Sequence, residues 1–224
     1  KAEQTEAEIV FAGGFLNHNK GITNLRTYTS CFIDDKLSPA YRFHESFMIW
    51  DKIYLKDFLL ENDIFLGETK AAVDVPFIFK AYFYATNVKT LSSYYGYNYN
   101  RETEQSVTLR HRKGSDCLFE LQAYKDIAKW LETTPYGASY KGVFNFRKIM
   151  SYAYTLTIVA EDSFENLFNL MKQELSEINQ KEIEAVAKEV NRTNVLDKLV
   201  EIVTLSPTLY WEKYRQDKVA QAPS

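Results

Sequence analysis

The chain has 224 residues, of which 46% are hydrophobic, 25% charged and 15% aromatic, enough apolar material for one large core or two small ones. That composition excludes intrinsic disorder, and eight Gly with five Pro exclude collagen-like and low-complexity chains. The formal net charge of −3 gives no overall attraction to nucleic acid or an anionic membrane, and no apolar run approaches the roughly 20 residues that cross a bilayer.

The charge is unevenly placed. Residues 75–150 carry 11 basic and 6 acidic side chains, a surplus of +5, whereas residues 1–74 and 151–224 each carry 8 basic and 12 acidic ones. Two cysteines, Cys31 and Cys117, are too few for a disulfide framework in a chain long enough to hold itself together, and they are expected to stay unbridged. The chain opens on Lys1 rather than Met, as a processed or trimmed chain does, which leaves the compartment open.

In chain order, residues 1–24 read as an N-terminal arm. An acidic start is followed by the apolar Ile9-Val10-Phe11-Ala12, then by Gly13-Gly14, where a regular helix would be costly. Residues 25–33 alternate between two sets of β-branched and aromatic side chains and predict a strand, followed by a turn over 34–39. Over 45–61, the spacing of Phe47, Trp50, Ile53, Tyr54 and Phe58 predicts one face of a helix.

Residues 77–86 are apolar or aromatic on both faces, as in a buried strand. Residues 106–112 and 117–124 predict a hairpin around Lys113-Gly114-Ser115-Asp116. A short helix over 125–133 should stop at Thr134-Pro135-Tyr136-Gly137, and 142–149 and 152–159 predict two more strands.

Beyond residue 160 the period becomes helical. Phe164, Leu167, Phe168, Met171, Leu175 and Ile178 share one face behind an Asp162/Glu165 capping box, and the helix could extend through Ile183, Val186 and Val190 or bend or break after Ile178, where the spacing slips. Val195, Leu196, Leu199, Val200 and Val203 define a second helix. Ser206-Pro207 has the chemistry to start a third, which carries Leu209, Tyr210 and Tyr214. The predicted fold is therefore α+β: an antiparallel β-sheet of about five to seven strands packed against a C-terminal helical layer. Its divisions are the arm 1–24, a β-rich core 25–160, the helical layer 161–217 of the same domain, and a frayed tail 218–224.

No constellation in the sequence demands catalysis. The glycines form no phosphate-cradling loop, so no nucleotide is implied. His18, His44 and His111 lack partners at metal-ligand spacing, and no metal or cofactor is expected. Cys117 opposite His111 on the predicted hairpin has no third orienting group and reads as core filler. Asn191-Arg192-Thr193 matches the N-glycosylation tripeptide, a pattern frequent by chance. Asp63, followed by Glu68-Thr69-Lys70, resembles the Asp…Glu-x-Lys motif of restriction-type nucleases. That resemblance implies carboxylates holding Mg²⁺ beside a lysine; the same residues also read as a solvated loop.

The most informative stretch is Tyr94, Tyr95, Tyr97, Tyr99 and Arg101, followed by Arg110, Arg112 and Lys113. Exposed rings let bases or sugars stack, and nearby cations neutralise phosphate, so a single-stranded nucleic-acid surface is one expectation. Tyrosine is equally suited to half-buried sheet faces and protein interfaces, where Tyr210, Trp211 and Tyr214 of the last helix would add anchors. The favoured expectation is a non-catalytic binding or assembly protein, with a protein partner or a second copy of itself. A single-stranded RNA or DNA binder and a metal-dependent nuclease are the rivals.

Overall fold

Ile9, Val10, Phe11 and Ala12 are all buried, a pattern a strand shows only when both of its faces are covered. The computed structural model describes residues 6–18, 21–26, 39–44, 47–67, 71–100 and 113–219, and the chain divides into two units, Lys1–Val107 and Thr108–Ser224.

In the first unit, β1 (Ile9–His18) is the middle strand of a small mixed sheet. One edge pairs in parallel with β4 (Val88–Asn100). The other pairs antiparallel with β3 (Lys52–Tyr54) near its start and with β2 (Gly21–Arg26) near its end. The segment read as an arm is thus the centre of the sheet. Gly13-Gly14, which looked like a break, is where the β1/β4 register shifts: Ala12 faces Leu91, Gly13 faces Tyr95 and Gly14 faces Tyr97. Residues without a Cβ commonly mark such irregularities in a ladder.

Three helices, α1 (Pro39–His44), α2 (Lys56–Glu61) and α3 (Asp74–Tyr84), accompany the sheet. Phe11 stacks on Tyr82 at 5.8 Å, while Phe43 packs against Phe79 at 4.5 Å and meets the Tyr82 ring edge-on. Residues 77–86, expected as a strand, belong to α3, which buries Phe77, Ile78, Phe79, Ala81 and Tyr82. A helix covered on several sides is apolar nearly all round, so its composition is that of a buried strand. The helix predicted over 45–61 is split into a 3₁₀ turn (Ile49–Asp51), β3 and α2.

The second unit is helical throughout its described residues. After a 3₁₀ turn (Gly114–Leu118) come α4 (Phe119–Thr133), a second 3₁₀ turn (Gly137–Tyr140), α5 (Lys141–Ile158), α6 (Glu161–Ser176), α7 (Gln180–Glu189), α8 (Asn194–Thr204) and α9 (Pro207–Val219). Among the described residues the antiparallel sheet of five to seven strands does not form, and mostly helical structure with one small mixed sheet takes its place. Residues 117–124 enter α4, and the strands expected at 142–149 and 152–159 are one continuous helix, α5. Its buried Phe146, Ile149, Tyr152, Ala153 and Leu156 recur at spacings of three and four, which override the β preference of the aromatic side chains. The predicted strand at 106–112 lies outside the described residues, as does most of the one at 25–33.

The C-terminal helices follow their sequence signals closely. Phe164, Leu167, Phe168, Met171 and Leu175 are the buried face of α6, although its N-cap is Ala160, and the Asp162/Glu165 capping box does not form. The helix stops at Ser176 instead of running on, and Asn179 restarts the chain as α7 by accepting from the Lys181 N–H at 3.0 Å. Asn191 ends α7 in the left-handed region (φ 52°), with Asn191 N–H donating to Lys188 O and Arg192 N–H to Ala187 O. This is a Schellman cap, which accounts for the asparagine without glycosylation. Ser206 caps α9 as predicted, its Oγ accepting from the Leu209 N–H at 3.2 Å.

Candidate binding surface

Strand β4 carries the backbone of Tyr94, Tyr95, Tyr97 and Tyr99 alongside the glycine-containing half of β1. Tyr97 is 41% exposed, and its ring stacks on Trp50 at 4.8 Å with an interplanar angle of 23°. Trp50 belongs to the 3₁₀ turn that leads into β3, so the pair joins the two outer strands of the sheet across β1.

The base of that turn is held from inside. Asp51 and Lys52 form a buried ion pair; Lys52 Nζ also donates to Met48 O at 2.6 Å and lies 4.9 Å from the centre of the Phe11 ring. A buried pair of this kind fixes geometry more than it adds stability. Here it sets the chain direction immediately after Trp50.

Of the other residues singled out from the sequence, Arg101, Arg110 and Arg112 lie outside the described residues, while exposed Lys113 is the first described residue of the second unit. The described residues therefore bring Tyr97 together with Trp50, which sequence reasoning had assigned to a helical apolar face. The available signal was a tryptophan directly ahead of an Asp-Lys pair. Asp63 is exposed with φ 51°, and Glu68 and Lys70 lie outside the described residues, among which no three metal-binding side chains cluster.

Tyr210, Trp211 and Tyr214 were expected to be partner anchors, but the protein uses them internally. Tyr210 is buried against Phe168 at 5.2 Å, Trp211 meets Phe164 edge-on at 4.8 Å, and the Tyr214 hydroxyl donates to Glu201. Arg215 covers Trp211 with its guanidinium 4.0 Å from the ring centre. Burial would raise the Glu201 carboxyl, but hydrogen bonds from Lys213 and Tyr214 outweigh it and hold the group below its ordinary range.

The helical unit also contains a polar cluster that could be mistaken for chemistry. Buried Glu120 of α4 accepts from the Ser151 and Thr155 hydroxyls of α5. The Tyr152 hydroxyl donates to Glu174 at 2.8 Å, and Lys148 pairs with the same carboxylate at 2.7 Å. Burial, followed by the Glu174 charge, pushes Tyr152 far up, and burial raises Tyr124 to about 12. Tyr124 and Tyr152 are fully enclosed and meet edge-on at 5.4 Å, so this cluster pins α4, α5 and α6 together. Cys117 is a free, buried thiol donating to Gly114 O at 2.9 Å, and burial raises its pKa.

No protein-family model matches the chain, and no curated protein or solved structure matches it. No described helix is long and apolar enough to cross a membrane.

Proposed function

We propose that this protein is a non-catalytic binding or assembly protein, a subunit of a larger complex, that engages its partner through an aromatic face of its small sheet. Tyr97 carries this proposal: an exposed ring on β4, stacked on Trp50 of the 3₁₀ turn before β3, is a preformed, amphipathic contact area. Rigid aromatic rings lose little conformational entropy on binding, and Trp and Tyr are enriched among the residues that anchor interfaces. In the second unit, Glu120 and Glu174 are engaged by hydroxyls of α5, which supports a packing role for them.

Light scattering on the purified protein, alone and with extract from its source, tests this directly. The expected result is a particle heavier than the 26.1 kDa chain, reduced to the single chain by Trp50→Ala or Tyr97→Ala. A strict monomer that retains no partner would count against it. The same ring pair also suits a second reading, single-stranded nucleic acid, because an unstacked base on such a platform is worth ~1–3 kcal/mol. Salt-sensitive binding of a fluorescent single-stranded oligonucleotide, lost in Trp50→Ala, would favour that reading over a protein partner.

A further inference from the structure

We infer that the segment from Ile53 to Leu66 is a second docking surface, shaped for a basic amphipathic segment of a partner protein. Ile53, Leu55, Leu60, Phe65 and Leu66 are each between 47% and 59% exposed. A single exposed leucine needs no explanation, but five large apolar side chains exposed within one short strand, helix and loop are a concentration that calls for one. Their exposure is not fraying. Phe58 and Ile64 of the same segment are buried, Leu55 N–H donates to Glu8 O at 2.9 Å, and Ile64 N–H donates to Leu59 O at 2.9 Å, folding the loop back onto α2. Asn62 Nδ2 donates to Phe58 O at 2.8 Å and closes the turn between them.

The charge around this patch selects its occupant. Asp57, Glu61 and Asp63 are exposed, and Lys56 is the segment's one cation, which leaves a net −2 around the apolar side chains. None of the three carboxylates forms an ion pair among the described residues. Nucleic acid and anionic lipid would be repelled by such a rim, and a second copy meeting the patch face to face would set carboxylate against carboxylate. A segment with two or three large apolar anchors flanked by Lys or Arg satisfies both the patch and its rim. This surface uses neither Trp50 nor Tyr97, so it stands independently of the ring pair.

The test is fluorescence anisotropy with two labelled helical peptides, one placing Leu on one face and Lys on the other, its counterpart carrying Glu in place of Lys. The Lys peptide is expected to bind and saturate, and the Glu peptide to bind much more weakly. Leu60→Ser with Phe65→Ser should weaken the Lys peptide by about tenfold or more, and Asp57→Lys with Glu61→Lys should do the same while admitting the Glu peptide. Leu209→Ser, at an exposed position of the helical unit, should leave peptide binding unchanged. Equal binding of the two peptides, no binding at all, or unchanged binding by both double variants would overturn the inference. It would also be overturned if light scattering showed a homodimer that these variants dissolve, since the occupant would then be a second copy. If the serine variant loses its helical circular dichroism, the charge-reversal variant, confined to exposed positions, carries the test alone.

Discussion

Glu120 shows how much rests on single side chains. It is a carboxylate enclosed between α4 and α5 whose only compensation comes from neighbouring donors, Ser151 and Thr155 among them. Glu120→Ala strands those hydroxyls in the interior, and the expected loss is about 2–4 kcal/mol of unfolding free energy in urea titration. Glu120→Gln, which can still accept one hydroxyl, should lose less. Tyr97 is the opposite case. Its ring is exposed and its neighbour is another ring, so Tyr97→Ala should change stability by under about 1 kcal/mol while removing the contact area. A stability loss comparable to that of Glu120→Ala would show that Tyr97 is a packing residue and not a contact residue.

At the scale of the element, the helices after residue 160 were legible because an apolar stripe marks α6 and α8, and capping chemistry marks a start or stop of α7 and α9. α6 has five buried residues at helical spacing, Asn179 and Ser206 cap their helices, and Asn191 closes α7. α3 and α5 were not legible as helices. Phe, Tyr, Ile and Thr crowd both, and those types signal strand only while the packing environment is left out. β1 was missed for a related reason: the glycine pair that argues against a helix is compatible with a strand whose partner shifts register beside it.

Gly142 is a second position where backbone proximity decides. A Cβ there would lie 2.4 Å from Glu182 O, so α5 and α7 are in contact at that point. Gly142→Ala should therefore destabilise the helical unit by about 1–3 kcal/mol, despite alanine's better helix propensity, as read from the thermal midpoint of the helical signal. A neutral or stabilising outcome would mean that the two helices separate at little cost. At α9, Tyr210→Ala removes a buried ring that touches Phe168 and Tyr214, and a loss of about 3–5 kcal/mol is expected in the same measurement.

For the whole molecule, the two units carry different burdens. The helical unit encloses Tyr124, Tyr152 and Tyr210, whose burial ties its stability to alkaline pH. Tyr124 ionises near 10 when the chain is unfolded and at about 12 when folded, because burial opposes the charged form; Tyr152 and Tyr210 shift in the same direction for the same reason. Groups raised in this way contribute their full stabilisation below pH 10 and lose it as the pH climbs through the folded value. Tyr124 alone accounts for about 3 kcal/mol over that interval. Alkaline unfolding of the helical signal should therefore begin above about pH 10, and Tyr124→Phe should shift it upward; helical structure lost already near neutral pH would contradict the assignment.

The sheet unit, by contrast, presents the rings. The site was legible in part. Tyr97 was found from an aromatic run, but its stacking partner Trp50 stands 47 residues earlier, and only the fold of β1 between β3 and β4 joins them. Hydroxyl-radical footprinting of Trp50 and Tyr97, in the isolated chain and in the assembled or liganded particle, tests that pairing most directly. Strong oxidation of both rings in isolation and protection of both in the complex is the predicted result. Rings shielded equally in the two states, or oxidised equally in both, would contradict it.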